Sequence, residues 1–257
     1  MRAQTLPTSA GWRWIGAGFA IFRRNPPALA MLVIAYWFTV LLLNVLPIIG
    51  ALAASLIIPG LSVGLMQAAR NVEHGEPVGI QTLYGGLKEN TRTLVALGAL
   101  YLGCTMGILG MSAVADGGEL LSFMLSGKQA NRETVEEGNF ALPALIVALL
   151  MTPVMMAYWF APVLAAWHKL TLGRALFFSF IACWLNWRPF LAYGAGLLLV
   201  AAVIPGLVLG LLLVLFPAAQ SFITAVVTVP MVLMVAPAVF ASFYASYRDI
   251  FGISEIV

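Results

Sequence analysis

Four stretches of this chain contain no Asp, Glu, Lys or Arg: 45 residues between Arg24 and Arg70, 23 between Arg92 and Asp116, 31 between Glu137 and Lys169, and 59 between Arg188 and Arg248. A charge at the centre of a bilayer costs about 2.5–3.5 kcal/mol even on the lenient insertion scale, so these intervals are where the chain can cross hydrocarbon. One crossing takes about 20 residues. The two longest intervals therefore hold two spans each and the other two hold one, which predicts six. Pro and Gly interrupt the long intervals at Leu46-Pro47-Ile48-Ile49-Gly50 and Phe216-Pro217-Ala218-Ala219-Gln220. The spans expected are 28–46, 49–69, 94–115, 140–166, 190–215 and 220–246.

Composition points the same way, with 62% apolar residues, 9% charged and a mean hydropathy of +0.99, which excludes a water-soluble globule. A membrane barrel would show short alternating segments, and nothing here alternates for long. The expectation is a single all-α, polytopic transmembrane domain over residues 1–257.

Charge sets the expected orientation. With six spans, one face collects 11 of the 13 basic residues and a net charge of +6, while Lys128, Arg132 and five acidic residues leave the other at −3. The positive-inside bias places both termini in the cytoplasm and 116–139 outside as an external loop. In that loop Leu120 to Leu125 reads as a short surface helix and Glu133 to Glu137 as a solvated cap. Arg23-Arg24 and the apolar run after them read as a first membrane helix, because the charged region is too long for a cleaved leader. Cys104 and Cys183 lie far apart in apolar segments and read as small fillers.

Three segments precede the odd-numbered spans and end alike, in Phe22-Arg23-Arg24-Asn25-Pro26, Lys88-Glu89-Asn90-Thr91-Arg92 and Leu185-Asn186-Trp187-Arg188-Pro189. Before these knots, Trp12, Ile15, Phe19 and Phe22 share a helical face, as do Ile80, Leu83, Tyr84 and Leu87, so the segments read as amphipathic helices lying in the interface. The third is almost wholly apolar but, at about 1.5 Å per residue, too short to cross, so it lies flat or re-enters. The even spans also correspond. Pro59 stands 11 residues before Arg70, Pro237 stands 11 before Arg248, and Pro162 stands 12 before Arg174. A threefold repeat of interfacial helix plus helical hairpin is expected, over about 11–70, 78–168 and 172–248.

Chemistry-bearing patterns are sparse. Gly60-Leu61-Ser62-Val63-Gly64 matches a hydrolase nucleophile pattern, but it lies within a span and the two histidines, His74 and His168, fall at the inner boundary or beyond it. The same residues form Gly-x-x-x-Gly, as do Gly103 to Gly107 and Gly206 to Gly210, which suits close helix approach. No span contains the ionisable residue that coupled transporters use. Were there catalysis, His168 or Glu73 would be its base. No catalytic residue, metal, cofactor or nucleic-acid partner is expected.

Trp12, Trp14, Arg23, Arg24, Asn25, Asn90, Arg92, Asn186, Trp187 and Arg188 are the expected contacts to lipid headgroups at the interface, since Arg forks suit phosphates and Trp anchors helices there. Pro59, Pro153, Pro162, Pro230 and Pro237 are the expected helix kinks, which could open a wall to a lipid tail or a partner helix. The function expected is non-enzymatic binding of membrane lipid or another membrane protein. An uncoupled channel or carrier for a neutral or apolar small molecule is the alternative.

The pattern from Gly11-Trp12-Arg13-Trp14 to Phe22-Arg23-Arg24-Asn25-Pro26, directly before a span, resembles an uncharacterised family of proteobacterial inner-membrane proteins with six spans. Interfacial helix plus hairpin is also similar in layout to the YciC-like proteins and to the membrane domain of some glycerophosphodiester phosphodiesterases. What the resemblance implies is a multi-pass location in the bacterial cytoplasmic membrane; it implies no reaction.

Overall fold

A computed structural model describes residues 3–46, 48–117 and 141–252. Among these the chain is all-helical, and six helices are long and apolar enough to cross a membrane: Pro26–Asn44, Ile49–His74, Thr91–Ser112, Leu142–Trp167, Trp187–Leu215 and Pro217–Phe251. In chain order the elements are α1 (Ala10–Arg24), α2 (Pro26–Asn44), α3 (Ile49–His74), α4 (Ile80–Gly85) running into a 3-10 turn at Gly86–Lys88, and α5 (Thr91–Asp116). After them come α6 (Ala141–Tyr158), α7 (Ala161–Trp167), α8 (Leu172–Leu185), α9 (Trp187–Leu198), a π turn at Leu199–Val203, α10 (Ile204–Leu215) and α11 (Gln220–Phe251). The expected surface helix near Leu120 and the Glu133 to Glu137 cap lie outside the described residues.

Local chemistry explains the boundaries. Asn25 caps α2 by accepting from the Ala28 amide at 3.3 Å, and Pro26 and Pro27 occupy the first turn, where their missing donors cost nothing. At the end of α3, Gly75 takes the left-handed conformation that releases the chain. Asn90 is also left-handed, a conformation Asn tolerates, and the turn it makes starts α5.

The packing is concentrated at the end of the bundle where the basic residues lie. Buried residues fill α1, the later half of α3, α7 and the last turns of α11, whereas the opposite ends of the hairpins expose Val45, Ile48, Val214 and Phe222. In a bilayer, hydrocarbon covers those ends without penalty.

Three short helices bind this end together. Helix α1 lies on α9 and α11; α4 and its 3-10 turn lie on α2 and α3; α8 lies on α6 and α7. Two crossings are backbone to backbone. A Cβ on Gly18 would stand 2.7 Å from the Cβ of Ser242, and one on Gly64 would stand 2.7 Å from the Leu83 Cα. Small residues make such approaches possible, and dispersion rather than hydrophobicity rewards them in a membrane. The third crossing uses a hydroxyl. The fourth span breaks at Trp159 and Phe160, and Ser179 of α8 fills the break, accepting from the Phe160 amide at 2.9 Å and donating to the Met156 carbonyl at 2.8 Å.

The buried face of α1 differs from the one expected. Trp14, Ile15, Gly18, Ile21 and Phe22 are buried, while Trp12 points outward. The reason is the partner: Trp14 packs on Phe190 at 5.3 Å and Tyr193 at 5.8 Å between ring centroids, a receptor that periodicity alone does not reveal. The Gly-x-x-x-Gly pairs also separate. Gly60 and Gly64 meet Leu87 and Leu83, but nothing lies within 4 Å of a Cβ placed at Gly103, Gly107, Gly206 or Gly210. Gly64→Ala should cost about 1–3 kcal/mol through overpacking against the α4 backbone. In a melt of the detergent-solubilised protein its midpoint should fall by several degrees while Gly107→Ala keeps the wild-type value; equal midpoints would mean the crossing is not as tight as described.

Candidate functional site

Where α3, α4, the turn after α7 and the last turns of α11 converge, they enclose an open cavity of about 840 Å³. Its walls combine polar and aromatic groups. Helix α3 contributes Gln67, Arg70, Asn71 and His74, a set spaced i, i+3, i+4, i+7 and therefore one helical face. Helix α11 contributes Tyr244 and Tyr247, the last residue of α7 is Trp167, and the turn after it contributes His168 and Lys169.

Most ionised groups around the cavity are already matched. Glu73 binds the Arg248 guanidinium and also accepts from the Tyr244 hydroxyl at 2.8 Å. This pair is mostly buried, with side-chain exposures of 28% for Arg248 and 17% for Glu73, and Asp249 also holds Arg248, at 3.0 Å. Removing Arg248 would strand the Glu73 carboxylate, which is the costly way to break such a pair. Lys169 binds Glu89, both well exposed. Arg70 has no carboxylate partner among the described residues; its guanidinium stands over the Trp167 ring, 5.3 Å from the centroid.

His168 and Tyr247 form the remaining polar pair, with Nε2 and the hydroxyl oxygen 2.6 Å apart. Burial holds the imidazole below its usual pKa, so near neutrality Tyr247 donates and Nε2 accepts. Glu73 and His168, the two candidate bases, thus each have a structural partner. Ser62 of the hydrolase-like pattern donates to the Pro59 carbonyl at 2.8 Å within its own helix.

The expected interface residues divide into two groups. Trp12, Trp187, Arg23, Arg24, Arg92 and Arg188 are exposed on the outside of the basic end. Arg24 also donates to the Glu73 carbonyl, and the Arg188 guanidinium stacks on Trp187 at 5.2 Å. Trp14 and the three asparagines face the protein. Asn186 is fully buried, donating to the Gln4 carbonyl at 2.9 Å and accepting from the Leu6 amide at 2.9 Å. Asn90 donates to the carbonyls of Ala165 at 2.9 Å and Leu170 at 3.2 Å. Each ties down a chain segment leading into another helix, a use that the knot pattern does not disclose. Of the prolines, Pro59 and Pro237 are buried inside helices, Pro153 and Pro230 lie exposed inside helices, and Pro162 begins α7.

Sequence reasoning passed over Arg70, Asn71, Trp167, Tyr244 and Tyr247 as site residues. A signal was present in the polar face from Gln67 to His74, at the end of an otherwise apolar span.

The His168 environment makes stability depend on pH. Its folded pKa lies below the unfolded value of 6.5, so the unfolded chain takes up the proton first, and stability is intact above about 6.5 and declines as pH falls below it. Between about pH 7.5 and about pH 5.5, wild type should lose more thermal stability than His168→Gln; parallel losses in the two proteins would remove His168 as the cause.

A protein of Burkholderia thailandensis described as a probable inner membrane protein is 36% identical over 261 residues, an alignment covering 99% of this chain and 96% of that one. No family model and no solved structure matches the chain. At 99% coverage the aligned region takes in all six apolar helices. On these grounds the chain belongs to the family of this Burkholderia inner-membrane protein and is a multi-pass protein of the inner membrane.

Proposed function

We propose that the protein is a non-enzymatic lipid-binding component of the inner membrane, built as a threefold repeat with both termini in the cytoplasm. The repeat reading is supported by register. Gly18, Leu83 and Ser179 each stand seven residues before the knot asparagines Asn25, Asn90 and Asn186, and each is the residue that meets a proline-bearing span. The order of contacts is cyclic. The short helix of the second unit sits on the hairpin of the first, that of the third on the second, and that of the first on the third. The asparagines follow suit, since Asn90 holds the segment before α8 and Asn186 the segment before α1. With 11 of 13 basic residues expected on one face, the three short helices would lie at the cytoplasmic interface.

One observation carries the lipid reading. An apolar groove of about 290 Å³ opens between the first and third units, with Trp37 of α2 on one side and Ala201 of the π turn on the other. Met231, Val232, Val235 and Ala236, the stretch of α11 between Pro230 and Pro237, form its back. Prolines and a π turn both interrupt regular helical packing, and together they leave a slot where an unbroken helix would lie closer. Trp37 is about 17 Å along α2 from Pro26, close to half of a ~30 Å hydrocarbon core. A lipid whose phosphate meets Arg23 or Arg188 at the interface has acyl carbons at that depth.

Native mass spectrometry of protein extracted gently from its membrane tests this reading. Wild type should retain lipid, Ala236→Phe should lose it by filling the slot, and Arg23→Ala with Arg188→Ala should weaken retention. An equal lipid load in all three proteins, or none in wild type, would overturn the proposal.

A further inference from the structure

We infer that the 840 Å³ cavity at the basic end is a second binding site, distinct from the groove, and that it takes the phosphate group of an organic phosphate. The argument starts from charge. Glu73 is committed to Arg248 and Glu89 to Lys169, so Arg70 is left without a carboxylate among the described residues lining or flanking the cavity. Its guanidinium carbon stands 5.3 Å from the Trp167 ring centroid, a cation–π contact that restrains the group and leaves its N–H donors available. Such a preoriented fork matches phosphate geometry and loses little freedom on binding.

Neutral donors face the same space. Gln81 and Thr82 of α4 line it together with Arg70 of α3, and Lys169, whose charge Glu89 already matches, brings its remaining N–H donors from the turn after α7. Donors arriving from three elements suit a tetrahedral anion with several terminal oxygens better than a planar carboxylate. Gln67, Asn71, His74, His168 and Glu89 add further polar groups to the lining, and Trp167, Tyr244 and Tyr247 present ring surface to whatever carries the phosphate. A bare inorganic ion would leave most of this volume and all of the ring surface unused. An organic body joined to the phosphate fills it.

The phosphate could belong to a soluble metabolite or to a lipid headgroup, and the test separates them. Protein is placed in nanodiscs of phosphatidylcholine, which leave both faces accessible and make the result independent of orientation and of the lipid groove. Glycerol 3-phosphate is titrated calorimetrically into these discs. A second set of discs contains phosphatidic acid, and lipid retained on the protein is counted by native mass spectrometry. Arg70→Gln should weaken binding by about tenfold or more, as expected for a lost charge-assisted contact. Arg70→Lys should recover part of it, and Ala236→Phe, which alters only the groove, should leave glycerol 3-phosphate binding unchanged.

Arg70-dependent binding of glycerol 3-phosphate identifies a soluble ligand class, and Arg70-dependent retention of phosphatidic acid alone identifies a headgroup. If Arg70→Gln does not fold, Gln81→Leu on the opposite wall is the variant to use, and it should weaken binding severalfold. Absence of binding in both arms, or binding that neither substitution changes, overturns the proposal.

Discussion

The architecture depends on the crossing of α1 over α11 at Gly18. This contact joins the first helix of the chain to the last, and through α9 it also draws in the fifth span. Nothing larger than hydrogen fits at Gly18, because the Ser242 side chain and the backbone beside Ala238 occupy the position of a Cβ. Lipid tails are as apolar as leucine, so helices gain little from hiding apolar surface from them; close approach and hydrogen bonds must hold the bundle together. The asparagine ties and the Ser179 bridge across the fourth-span break serve the same end, each satisfying backbone groups that would otherwise be stranded at the edge of the hydrocarbon.

The packed end makes the polar cavity possible. Three span ends, from α3, α7 and α11, are held side by side with ionisable groups at their last turns, where desolvation is partial and partners are within reach. Glu73 and Arg248 come from helices separated by most of the chain, yet they share one hydrogen-bonded cluster with Tyr244. Because Arg248 takes up the Glu73 carboxylate, Arg70 keeps no carboxylate partner among the described residues. The unpacked ends behave in the opposite way: they expose large aliphatic side chains all round, as suits helices whose neighbours are acyl chains.

Much of the fold was legible because membrane insertion is governed by a coarse rule. Charge-free length fixes how many helices can cross, and the helix ends at Asn44 and Leu215 sit where Pro and Gly punctuate the apolar runs. What was not legible is which surface meets which. The apolar stripe of α1 includes both Trp12 and Trp14, and only the Phe190 and Tyr193 rings decide that Trp14 is the one inside. The asparagines of the three knots look like headgroup ligands when read along the chain, and Asn186 becomes a buried clamp only when residues 4–6 arrive from the other end. The cavity escaped for the same reason. Arg70, Trp167 and Tyr247 come from three separate span ends, each of which alone reads as an interface anchor.

The proposed function places α1, α4 with its 3-10 turn, and α8 on one face of the membrane, the cytoplasmic one. Single cysteines at Arg13, Lys88 and Arg174, exposed positions on or beside the three helices, test it when Cys104 and Cys183 are replaced by Ala. A membrane-impermeant maleimide should label all three in inverted vesicles and none in right-side-out vesicles. Labelling of any one of the three from the opposite side would contradict the account.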